Sequence, residues 1–156
     1  MYVLSGWAIT NIAAGSIGYF NSSGTTKYLH QMNAGWNLVN LAIAGGALWQ
    51  YSHADPSAYN LAESIAEAQS IENILLLNIG LNISYMAGGG YLWERGIRKS
   101  SDRLKGYGQS LLIQGGFLLL FDSALYLLNR NNSQQLNTIL EQISVSGTTL
   151  SVTIPL

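Results

Sequence analysis

The sequence predicts an all-α membrane protein: a four-transmembrane-helix bundle with an amphipathic helical extension before the third helix and a short C-terminal β-hairpin or extended tail. Three observations predict it. The chain has 156 residues, 48% hydrophobic and only 10% charged, well under half the share of about 25% in soluble domains. Four stretches almost free of charge each reach the ~20 residues needed to cross a ~30 Å hydrocarbon core. The polar residues within those stretches are mostly Asn, Gln, Ser and Thr, which hydrogen-bond without carrying charge.

The first span covers about residues 2–20. It lacks the basic start of a signal peptide, so it reads as a membrane helix. The second covers 28–51, the third 72–94 and the fourth 107–129, the last interrupted only by Asp122. Before the third span, Asp55-Pro56 reads as an N-cap with proline at the first helical position. From Ser57 to Glu72 no breaker occurs. Ala58, Leu61, Ile65 and Ala68 share one face, with Glu63 and Glu67 elsewhere. This predicts an amphipathic stalk that continues into the third span or lies on the outer face. The chain thus divides into a four-helix membrane domain, 1–130, and an extracytoplasmic tail, 131–156. In the tail, Ile143–Ser146 and Leu150–Ile154 alternate apolar and polar residues about Gly147, the pattern of a small hairpin.

Basic residues set the orientation. Lys27 lies in the first loop and Arg95, Arg98, Lys99, Arg103 and Lys105 in the third, against Arg130 alone on the other side. The positive-inside rule places loops 21–27 and 95–106 in the cytoplasm and both termini outside. The basic third loop can also touch anionic lipid headgroups. Aromatic residues near the span ends, including Tyr2, Trp7, Tyr19, Tyr28, Trp49, Tyr91, Trp93 and Tyr107, form the pattern of an interfacial belt. Trp36 departs from that pattern and is expected inside.

The candidate site is an intramembrane polar cluster: Asn11, His30, Asn33, Asn37, Asn40, Asn78, Asn82, Gln114 and Asp122. Counting depth from each span end puts Asn11, Asn40 and Asn82 near the midplane. Asn78 and Asp122 share the outer third, and Asn33 and Gln114 the inner third. Asp122 should then find Asn78, Tyr126 or Arg130. Amides donate and accept, so such layers either lock helix register or line a polar cavity. Asp122 is the sharpest residue, because an ionisable group inside a span is a functional hypothesis by default. Glycines in every span let helices approach closely, and Gly108, Gly115 and Asp122 repeat every seven residues.

Other chemistry finds little support. The absence of cysteine excludes disulfides, zinc-thiolate sites and iron–sulfur clusters. With net charge −1 there is no basic excess for nucleic acid. His30 and His53 should lie near opposite faces, so no shared metal is expected. No cofactor can be named, and no nucleophile motif of the G-x-S-x-G kind occurs. The leading expectation is a non-enzymatic structural or accessory subunit of a membrane assembly. Its partners are the lipid bilayer and either further copies or other membrane subunits. The alternatives are a small transporter or proton path using Asp122 and an Asn-lined cavity, and a membrane enzyme or cofactor protein for a lipid-soluble ligand.

Two runs, HQMNAGWNLVNLAIAGG at 30–46 and LKGYGQSLLIQGGFLLLFD at 104–122, carry a resemblance. They are similar to an uncharacterised family of small bacterial four-helix integral membrane proteins, described as a domain of unknown function. The resemblance covers most of residues 1–130 and not the tail. It implies a bacterial envelope protein and a four-span bundle; the expected location is the bacterial inner membrane. His30, Asn33, Trp36, Asn37, Asn40, Gln114 and Asp122 are the positions that carry it. It implies no activity.

Overall fold

The computed structural model describes residues 1–53, 61–146 and 149–152, with side-chain surroundings for 1–53 and 63–132. The described residues form four helices and two short strands: α1 Tyr2–Asn21, α2 Gly24–His53, α3 Leu61–Arg98, α4 Asp102–Gln142, β1 Ile143–Ser146 and β2 Thr149–Val152. The strands pair antiparallel, Ile143 opposite Val152 and Ser146 opposite Thr149. Asp55, Pro56 and Ala58 lie outside the described residues, as do the surroundings of the Leu61 and tail side chains.

The turns are tighter than the predicted loops. Only Ser22 and Ser23 separate α1 from α2, and only residues 99–101 separate α3 from α4. The first turn is possible because Gly24 adopts φ +57, a left-handed conformation that costs glycine nothing. The second satisfies both helix ends at once. Ser100 takes the left-handed position at φ 49. Ser101 N–H donates to Gly96 O at 2.9 Å and Ser100 N–H to Ile97 O at 3.2 Å, a Schellman closure. Ser101 Oγ then accepts from Leu104 N–H at 3.4 Å as the N-cap of α4. Arg95 and Arg98 in the last turn of α3, and Asp102 in the first turn of α4, have the signs the helix dipoles favour.

α1 packs on α2, α3 on α4, and α2 on α4. The first two pairs are antiparallel. α2 and α4 run parallel: Thr25 meets Asp102, Tyr28 meets Tyr107 and Asn33 meets Gln114. Both turns therefore lie at the same end of the bundle.

Small residues set the spacing. A Cβ at Gly18 would lie 2.5 Å from the His30 ring, and one at Gly108 would lie 2.5 Å from Gly89 O. On α3, Ala68, Leu75, Asn82, Gly89 and Gly96 recur every seven residues. They face Gly108, Gly115, Asp122 and Asn129, which recur every seven on α4. A seven-residue repeat imposes a left-handed supercoil and keeps one seam in register along the pair.

Helix lengths differ from the predicted spans. α3 is continuous from Leu61, so the described part of the predicted stalk runs into the predicted third span as one helix. Ile65 and Ala68 lie on its more buried side while Glu63 and Glu67 are exposed. α4 continues past Asn129 to Gln142, into the predicted tail. Asn129 Nδ2 donates to Ala68 O at 2.9 Å and fastens the two extensions together. α1 has 20 residues and α4 has 41, about 30 and 60 Å at 1.5 Å per residue. By length and composition, one helix among the described residues can cross a membrane: Asp102–Asn132 within α4.

Candidate functional site

The interior is built mainly from polar side chains. Asn33, Asn37, Asn40, Asn82, Ser110, Gln114 and Asp122 are buried, against Leu4, Ala8, Ala44 and Leu75 among the apolar residues. On α2 the buried positions 33, 37, 40 and 44 follow the 3.6-residue repeat of one helix face. On α4, Gly106, Ser110 and Gln114 make the face toward α2.

Four side chains close a ring across three helices. Trp7 Nε1–H donates to Gln114 Oε1 at 3.0 Å. Gln114 Nε2 donates to Asn33 Oδ1. Asn33 Nδ2 donates to Asn11 Oδ1 at 2.7 Å, and Asn11 Nδ2 returns to Trp7 O at 2.8 Å. Asn37 and Asn40 extend it along α2: Asn37 Nδ2 donates to Asn33 O at 2.8 Å, and Asn40 Nδ2 to Asn37 Oδ1 at 3.3 Å. The Trp7 ring stacks on Phe117 with centroids 3.8 Å apart and planes 5° apart. Trp7 is thus half-buried and engaged across helices, where an interfacial belt residue was expected. Its signal, a tryptophan one helical turn before Asn11, was present in the sequence but shared with every boundary aromatic.

A second set joins α3 to α4. Asn82 Nδ2 donates to Asp122 Oδ2 at 2.7 Å, both side chains being buried. The expected partners of Asp122 are replaced. Asn78 is half-buried and outside both sets, and Arg130 donates to Tyr126 OH at 3.2 Å. The reason lies in side-chain direction. Cα–Cβ bonds tilt toward the N-terminus of their own helix. In an antiparallel pair, Asp122 leans toward the turn and Asn82 leans away from it, so they converge from different backbone depths. The midplane layer of Asn11, Asn40 and Asn82 is likewise not formed. The two-residue turn between α1 and α2 sets Asn11 opposite Asn33 instead.

His30 stands apart from the amides. Its ring covers Gly18, and its Nδ1 is buried without a hydrogen-bond partner, as are Trp36 Nε1 and Ser110 Oγ. Trp36 packs edge-on to Tyr85 at 5.0 Å. His53 is exposed, with Nδ1 2.8 Å from Trp49 O. It lies 23 residues along α2 from His30, about 35 Å at the helical rise. Among the described residues, no three His, Cys, Asp or Glu side chains gather as metal ligands do.

The end that carries both turns gathers the basic residues. Lys27 Nζ lies 4.8 Å from the centroid of the Tyr19 ring, Arg95 5.8 Å from that of Tyr91, and Arg103 5.3 Å from that of Tyr107. Arg98 pairs with Glu94 at 2.6 Å and Lys105 with Asp102 at 3.3 Å. Thr25 Oγ1–H donates to Asp102 Oδ1 at 2.8 Å and ties one turn to the other. The Thr25 bond, followed by the Lys105 bond, holds the Asp102 carboxyl below its ordinary value. Thr25 and Asp102, 77 residues apart, gave no sequence signal as a pair.

Residues 3–123 match the Family of unknown function (DUF6992), and the chain belongs to that family. The match takes in both amide sets and the basic end. A search of curated proteins and a search of solved structures each found no match.

Proposed function

We propose that the chain is an integral membrane protein that crosses the bilayer four times and serves as a non-enzymatic structural or accessory subunit of a membrane assembly. The observation that carries the reading is the inversion of inside and outside. Amides fill the buried face, while Ile17, Leu38, Val39, Ile43, Leu77, Ile83, Leu120 and Leu127 are exposed. Water would penalise so broad an apolar surface; lipid does not. Lipid in turn makes an unpaired amide costly, which gives the ring and the Asn82–Asp122 pair their purpose. By hydropathy α4 is the span with the clearest composition. α1, α2 and α3 are less apolar by that measure, and polar residues on them, Asn11, Asn33, Asn37 and Asn82 among them, serve the helix contacts. The basic end faces the cytoplasm of a bacterial inner membrane, and the termini face outward.

The structural role is favoured by the directness of the bonding. The amides of the ring spend their donors and acceptors on one another and not on an open space. Native mass spectrometry of the gently extracted protein tests it. The expected result is a mass above 16.9 kDa that resolves into protein subunits. A monomer carrying one discrete small mass would overturn it.

One observation favours a second reading, a proton or ion path. Asp122 is buried at 8% exposure and its hydrogen-bond partner is the neutral Asn82, not a cation. That reading requires Asp122→Asn to abolish a pH-dependent flux across proteoliposomes while the fold persists. Unchanged flux would remove it.

A further inference from the structure

The end with both turns has more cations than its own acids can neutralise. Lys27, Arg95, Arg98, Lys99, Arg103 and Lys105 face Glu94 and Asp102, an excess of four. Both carboxylates are already committed, Glu94 to Arg98 and Asp102 to Lys105. Lys27, Arg95, Lys99 and Arg103 have no carboxylate partner among the described residues. Three of these four are held over the faces of tyrosines on three different helices: Tyr19 on α1, Tyr91 on α3 and Tyr107 on α4. A ring face holds a cation without neutralising it. The same border exposes Phe20, Tyr91, Trp93 and Ile97. An apolar wall therefore lies directly beside a fixed rim of positive charge.

We infer that this rim is a binding surface for the phosphates of anionic lipids in the leaflet at the basic end, with Lys27, Arg95, Lys99 and Arg103 as the contacting groups. The inference rests on the membrane placement proposed above and names the partner of its basic face. A lipid phosphate suits the rim because its acyl chains can lie against the apolar wall while its headgroup meets the cations. The tyrosines keep the cations near the boundary and reduce the side-chain entropy lost on contact. The attraction adds per cation and is screened by salt.

The test places the full chain in nanodiscs of equal phosphatidylcholine and phosphatidylglycerol and identifies the lipids it retains by native mass spectrometry. The wild type is expected to retain phosphatidylglycerol several-fold above its bulk share at low salt and to lose that preference at high salt. The triple variant Lys27→Gln, Lys99→Gln, Arg103→Gln should retain the two lipids near their bulk ratio. The double variant Glu94→Gln, Arg98→Gln removes an already paired couple and should keep the preference. A wild type inside the disc with no preference, or one whose preference high salt leaves untouched, overturns the inference and spares the membrane placement. Loss of the preference on adding inorganic phosphate at constant ionic strength would assign the cations to a free-anion site and also overturn it. A chain that stays soluble outside the disc without detergent would defeat the membrane placement itself. The salt dependence is read on the wild type, so the result does not depend on the variants folding.

Discussion

Gln114 is the residue on which the amide ring turns, since it accepts from Trp7 and donates to Asn33. Replacing it with Leu keeps the volume and orphans an indole N–H and an amide oxygen. The expected loss is about 1–3 kcal/mol of stability, read as a lowered midpoint of thermal unfolding in mild detergent. A midpoint equal to wild type would mean the ring contributes nothing. Glycines give a paired prediction. At Gly108 an added Cβ would press on the Gly89 and Trp93 backbones, neither of which can yield; at Gly116 nothing lies within 4 Å. Gly108→Ala should destabilise by about 1–3 kcal/mol, whereas Gly116→Ala should be neutral or stabilising by up to about 1 kcal/mol. Asn11, Asn33, Asn37, Asn40, Asn82, Gln114 and Asp122 could be picked out because such polar residues stand out in nearly charge-free stretches, whereas Trp7 was missed and His30 and Asn78 stand outside both sets. The partners were not legible. Asp122 and Asn82 meet through the opposed lean of side chains, which depth counted along single helices does not contain.

At the scale of elements, the existence of four helices and the ends of α1 were readable from the spacing of charge and apolar residues, and the ends of the other three were not. Each predicted end was set at a hydrocarbon boundary. The backbone instead continues past those boundaries: α3 to its Schellman closure at residues 99–101, and α4 beyond the seam residue Asn129 to Gln142. The α3 half of that seam was hidden because Ala68, Leu75, Asn82, Gly89 and Gly96 share no chemistry beyond their spacing. The link between the two turns carries a pH prediction. The folded-state carboxyl of Asp102 lies below its ordinary value of 3.8. Its contribution is therefore present above that value and is lost as pH falls through the lower, folded-state value. Being exposed, the group contributes little. Asp102→Asn should lower the unfolding midpoint slightly at neutral pH, and the difference from wild type should vanish in acid. A difference that is constant with pH would detach the effect from ionisation.

For the whole molecule, the absence of cysteine makes the proposed topology simple to read. Ser23→Cys sits at the basic end, and Ser52→Cys and Ser70→Cys toward the other end, all at exposed positions. In intact cells an impermeant maleimide should label Cys at 52 and 70 and spare Cys at 23 until the membrane is opened. Labelling of all three would contradict the four-span placement, and the reverse pattern would invert the orientation. The ring of amides also has a consequence in time. α2 ends at His53, 61 residues before Gln114, so a ribosome adding about 5–20 residues per second completes α1 and α2 roughly 3–12 s before the ring can close. Through that interval the newborn helical hairpin holds its amides without their final acceptor and donor, and only the arrival of α4 ends the wait.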